Sequence, residues 1–162
     1  MSHPVPVDEV QRRYPPCLFD RLNMGRSRDT APTAHEAVAR DLAWLLGTIS
    51  PHSDDDLHGF PRIAASVLNF GVPEPAHGMS RAATASFLEA QVRMAIERFE
   101  PRIAQLALDI RCVETASPAG EPRLELRIEC DLIDALACGR NVFVGDYVPS
   151  GEGFVFHMRD TP

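Results

Sequence analysis

The sequence predicts an α+β domain, with N-terminal helices packed on a small, mainly antiparallel four-stranded C-terminal sheet. Two observations predict it. Up to Phe99 apolar residues recur at spacings of three and four, and beyond Pro101 they recur at two. The switch falls at one charged corner, Glu100-Pro101-Arg102, where proline lacks an N–H and biases the residue before it away from helical geometry. A run of helices followed by a run of strands suits a sheet covered on one face. A chain of 162 residues is long enough for one core, burying about 68–70% of its unfolded surface.

Residues 1–32 are rich in Pro and Arg and read as a flexible extension. Within them the apolar island 17–22 is a short docking segment, and 33–162 form the single domain. Thr33-Ala-His-Glu36 has the form of a capping box. Val38, Leu42, Leu45 and Leu46 then share a helical stripe that Gly47 ends. Trp44 lies off that stripe, as a second packing contact or an exposed anchor. The loop 50–60 carries Asp54-Asp55-Asp56, either solvated or a receiver for a basic partner. A short helix is expected over 62–69, ended by Gly71 and Pro73. Ser80 caps a third helix, 81–99, whose stripe is Phe87, Leu88, Val92, Ala95, Ile96 and Phe99. Glu89, Arg93 and Glu97 are expected as an i, i+4 ladder on its wet side.

Past the corner, Ala104, Leu106, Leu108, Ile110 and Cys112 alternate with polar or small residues, as do Leu124, Leu126, Ile128, Cys130 and Leu132. The segment 116–122 is turn material, so the two form a hairpin with one dry face. Opposing Cys112 with Leu124 places Asp109 across from Arg127 and Arg111 across from Glu125, which predicts that register on charge. Residues 141–148 and 154–158 supply two more strands, joined by a turn at 149–153.

The net charge of −7 argues against a nucleic-acid partner, since phosphate affinity rests on Lys and Arg. All 16 basic residues are Arg, which fits either bidentate interface pairing or a codon bias. The four cysteines lack CxxC spacing and the six histidines lack i, i+4 pairing, so no metal site or cofactor is expected. Cys112 and Cys130 are read as buried, reduced thiols. No apolar run approaches the ~20 residues a bilayer needs, and the first residues show no secretory signal. The expectation is a cytoplasmic protein without direct membrane insertion and without catalytic residues.

Three segments carry a resemblance: Leu18-Phe-Asp-Arg-Leu22, Ser66-Val-Leu-Asn-Phe-Gly-Val-Pro73 and Phe99-Glu-Pro-Arg102. They resemble the baseplate family that includes TssE of type VI secretion and the lysozyme-like wedge proteins of contractile phage tails. The family's Leu-Leu-Asn-Thr-Arg is replaced here by Leu45-Leu-Gly-Thr-Ile49, so Ile49 stands where the family has Arg. The resemblance implies a structural wedge part at the inner-membrane-associated baseplate. Its implied partners are the wedge subunits TssF, TssG and TssK and the sheath proteins TssB and TssC, whose assembly it would nucleate through its sheet. The implied site residues are Glu100, Pro101 and Arg102 at the corner, with Ser66, Leu68, Asn69, Phe70, Gly71 and Pro73 in the upstream motif.

Glu100 and Arg102 admit two readings, a partner contact pointing outward or an ion pair that organises the helix–sheet corner. Asn69 admits a helix cap. If the corner is a contact, Arg102→Glu leaves the domain folded and impairs sheath assembly. Two alternatives stand beside the wedge reading: an anti-adaptor-like regulatory binder on the same fold, and, less favoured, a muramidase. A muramidase needs two carboxylates roughly 5–9.5 Å apart, and the sequence offers Glu100 no partner.

Overall fold

The computed structural model describes residues 34–52, 56–116, 120, 122–133, 140–148 and 153–157. The docking segment 17–22, Thr33 of the capping box, Asp54, Asp55 and most of the turn at 149–153 lie outside them. Helix α1 (Ala34–Leu46) and helix α3 (Arg81–Phe99) flank a short helix α2 (Pro61–Ala64). Strands β1 (Asp109–Ala116), β2 (Pro122–Cys130) and β3 (Asn141–Val148) form an antiparallel meander, and β4 (Gly153–His157) pairs through its backbone with β3, giving the order β1-β2-β3-β4. The fold is thus α+β, with helices N-terminal and an antiparallel sheet C-terminal.

The core lies between the helices and one face of the sheet. The α1 stripe of Val38, Leu42, Leu45 and Leu46 is buried, as are Leu88, Val92, Ala95 and Ile96 of α3. Leu124, Leu126, Ile128 and Cys130 alternate inward on β2, with Ile110, Phe143 and Tyr147 beside them. The alternation places one buried and one wet residue at each step, as a one-sided antiparallel sheet requires. Ser80 caps α3 by accepting the Ala83 N–H at 3.3 Å. Among the described residues no helix is long and apolar enough to cross a membrane.

Four expectations are corrected. The helix expected over 62–69 is broken into α2 and a 3-10 turn, Val67–Asn69, because Ser66 is extended and its hydroxyl accepts the Leu68 N–H instead of letting the helix continue. The first strand does not begin at Ala104. Gln105–Ala107 forms a 3-10 turn, and Leu106 within it is fully exposed.

That turn also overturns the register. Cys112 opposes Leu126, Arg111 opposes Arg127 and Asp109 opposes Glu129. Ile103 bridges Leu132 just after the corner, and the Ala104 N–H donates to the Asp131 carbonyl at 2.9 Å. A continuous strand from that bridge would bring Cys112 opposite residue 123. The turn takes up three positions, and the strand resumes with Ile110 opposite Ile128 on the dry face. Like charges are tolerated because each is neutralised along its own strand. Arg111 Nε lies 3.2 Å from Asp109, while Glu129 takes Arg127 and Arg140, both at 2.8 Å. A cross-strand pair is worth only about 0.2–1 kcal/mol, so packing and the corner bridge decide.

The fourth correction concerns the wet ladder on α3. The Glu89 carboxylate accepts the Cys112 backbone N–H at 2.7 Å, and Arg93 donates to the Leu108 carbonyl at 3.1 Å. Two ladder members therefore bond backbone groups at the start of β1, at Leu108 and Cys112.

Candidate functional site

The corner is built by the end of α3. The Glu100 N–H still bonds the Ile96 carbonyl, but Pro101 cannot continue the ladder and the chain turns. Glu100 is 5% exposed. Arg102 folds back on it: the Nε donates to Oε1 at 2.6 Å, the Nη2 donates to Oε2, and the Arg102 backbone N–H donates to Oε1 at 3.2 Å. Nη2 also donates to Asp41 Oδ2 of α1 at 2.6 Å, and Arg40 donates to the other Asp41 oxygen at 3.1 Å. Of the two readings left open, the geometry is that of an ion pair at the helix–sheet corner. Arg102 ties the end of α3 to the middle of α1.

The electrostatics follow from this geometry. Hydrogen bonding to Glu100 comes first in holding the Arg102 guanidinium charged well above its usual range, burial opposes it, and Asp41 adds to it. Both Glu100 oxygens accept from Arg102, which fixes the orientation of the carboxyl.

The upstream motif is assembled differently. Asn69 is 4% exposed and does not cap its helix; its Oδ1 accepts the His52 N–H at 3.3 Å. Val72 forms a parallel bridge with Ile49, donating to the Thr48 carbonyl at 2.9 Å and accepting the Ser50 N–H at 3.1 Å. Gly71 has φ +122°, and a Cβ there would lie 2.3 Å from the Thr48 oxygen. The motif therefore pins the chain after α1 to the chain before α3. Ile49 sits at this bridge and is 55% exposed. Val67 and Leu68 stand exposed on the turn. Phe70 meets Phe99 edge to face at 5.3 Å, so the motif touches the helix end that launches the corner.

Three contributors escaped the sequence reading. Asp41 follows Val38 by three and precedes Leu45 by four, a carboxylate within an apolar stripe, which is a legible signal for a buried-side partner. Glu89 and Arg93 gave no such signal, since their partners are backbone groups, the Cys112 N–H of β1 and the Leu108 carbonyl just before it. Trp44, left open above, is half exposed, with the Arg40 guanidinium 5.6 Å from its ring centroid.

No curated protein and no solved structure matches the chain. The family model of the baseplate wedge protein gp25 matches residues 33–135, more than half of the chain and a span that includes α1, the Ser66–Pro73 motif, α3, the corner and the β1–β2 hairpin. On that match the chain belongs to the family of the baseplate wedge protein gp25.

Proposed function

We propose that this protein is a structural wedge component of a type VI secretion or related contractile-tail baseplate, and that it nucleates sheath assembly by accepting a partner strand. In this reading residues 33–162 act as one wedge domain carried behind the extension 1–32. The corner residues Glu100, Pro101 and Arg102 set the angle between helices and sheet, and Ser66–Pro73 holds that frame. The partners are other wedge subunits, of the TssF, TssG and TssK kind, and sheath proteins of the TssB and TssC kind.

The observation that supports strand acceptance most is the asymmetry of the sheet. On one side of the sheet α3 side chains already bond the Cys112 N–H of β1 and the Leu108 carbonyl just before it. β4 has β3 on one side and, among the described residues, no strand beyond it. A sheet edge with no neighbouring strand can take an extended partner segment by β-augmentation.

The test is affinity capture of the tagged full chain from its native cytoplasm, with identification by mass spectrometry. Recovery of wedge and sheath subunits is expected. Recovery of a response-regulator adaptor without tail proteins would replace this reading with the anti-adaptor one.

A further inference from the structure

The stretch from Phe60 to Asn69 leaves its large apolar side chains in water. Phe60, Ile63, Val67 and Leu68 are 60%, 41%, 84% and 73% exposed. Hydrogen bonds fold the stretch into two consecutive tight turns. The Ala64, Ser66 and Asn69 N–H groups donate to the Phe60, Ile63 and Ser66 carbonyls, each at 3.0 Å. Of residues 60–69 only Ala64 and Asn69 are buried, so these turns give the core little and present their apolar side chains outward. Single exposed apolar residues are ordinary; a group of four on one short stretch marks a surface that another segment covers.

We propose that the covering segment is the chain's own apolar island, Cys17-Leu18-Phe19-Asp20-Arg21-Leu22. Leu18, Phe19 and Leu22 fall within a single helical turn, and a helix that short is not stable alone, so the island needs a surface to bury them. The tether permits it. The patch lies about one helix length and a few residues from Ala34: α1 has 13 residues, or about 20 Å, and Thr48 just beyond it is bonded to Val72, three positions after Asn69. Residues 23–33, between the island and α1, span up to ~36–40 Å. A tether of that length holds the island near the patch at an effective concentration on the order of millimolar. Charge separates this occupant from a second copy. Residues 34–162 carry 11 Arg and 19 acidic residues, so two such bodies repel, whereas residues 1–33 carry five Arg and four acidic residues. Asp20 within the island also supplies a counter-charge for Arg62, exposed in the middle of the patch. The proposal uses neither the corner nor strand addition, and it stands apart from the wedge reading.

The test uses the full chain. In a mixture of differently isotope-labelled copies, nuclear Overhauser contacts are expected from the Phe19 ring to methyl groups of Ile63, Val67 or Leu68 of the same copy. Trypsin is expected to cut after Arg21 about tenfold more slowly than after Arg26 in the tether, since cleavage follows the undocked population. The double variant Val67→Ser, Leu68→Ser, at positions already exposed, should abolish the contacts and raise cutting at Arg21 about tenfold. The double variant Leu18→Ser, Phe19→Ser should do the same from the other side without touching the folded domain. Contacts between copies in place of contacts within one would overturn the proposal in favour of a dimer. Contacts of Phe19 with a different surface, or cutting at Arg21 that neither double variant changes, would also overturn it.

Discussion

Because Glu100 is buried, the cost of removing Arg102 is set mainly by the carboxylate left behind without a counter-charge. Arg102→Gln is expected to lower stability by about 3 kcal/mol, read from the urea midpoint at constant slope. Asp41 is 29% exposed, and Asp41→Asn should cost only about 1 kcal/mol. A loss below about 1 kcal/mol for Arg102→Gln would mean that water already screens the pair. Arg102→Glu would set three carboxylates together and is now expected to unfold the corner, so it is unsuited to testing a partner contact. Gly71→Ala places a methyl against the Thr48 carbonyl and keeps a positive φ, and should cost at least about 2 kcal/mol in the same assay. Cys130 offers a pH test. Burial pushes its thiol up to about 12 from 9.0, so the folded state favours the neutral form. Its contribution is complete below pH 9 and is lost as pH rises from there towards 12, by about 1.4 kcal/mol per pH unit. Replacing Cys130 with alanine should flatten that alkaline limb. The corner could be found in the sequence because proline and a change of period both mark it; Gly71's role could not, since the clash that demands glycine lies 23 positions away at Thr48.

At the scale of elements, α1, α3 and the hairpin were readable because periodic apolar burial dominates them, whereas the register was not. Charge pairing is a weak signal, and the decisive feature was the 3-10 turn at Gln105–Ala107, within a segment whose alternation mimics a strand. Helix α3 shows the same limit. Glu89 and Arg93 have the spacing of a solvent ladder, yet they reach the backbone at Cys112 and Leu108, a partner without a side-chain code. Removing that carboxylate leaves the Cys112 N–H unpaired at a half-buried edge. Glu89→Ala is expected to raise the hydrogen-exchange rate of the Cys112 amide about tenfold or more, corresponding to the loss of a bond worth about 1.5 kcal/mol. Glu89→Gln keeps an acceptor oxygen and should restore most of the protection. Equal exchange in all three proteins would show that β1 is protected by packing alone.

For the molecule as a whole, the α3 contacts at the start of β1 and the edge position of β4 turn the proposed strand addition into a directional claim. In an antiparallel strand adjacent residues send their N–H groups to opposite sides. Of Phe154 and Val155, one therefore faces β3 and the other faces outward, whichever way the strand is phased. Proline removes an N–H and is tolerated on an edge strand only where that N–H does not serve the sheet. Phe154→Pro and Val155→Pro should thus behave oppositely: one weakens the β3–β4 ladder and lowers stability, and the other leaves the fold intact while deleting an outward donor. The fold-preserving variant is the informative one, and it is expected to reduce sheath number in cells sharply, since the incoming strand loses a main-chain bond and meets a ring at its docking edge. Sheaths of normal number and length with that variant would remove β4 from nucleation while leaving the wedge assignment, which rests on the family match, untouched. If both prolines unfold the domain, Phe154→Lys and Val155→Lys give the same test, because edge lysines disfavour strand addition without removing a ladder bond.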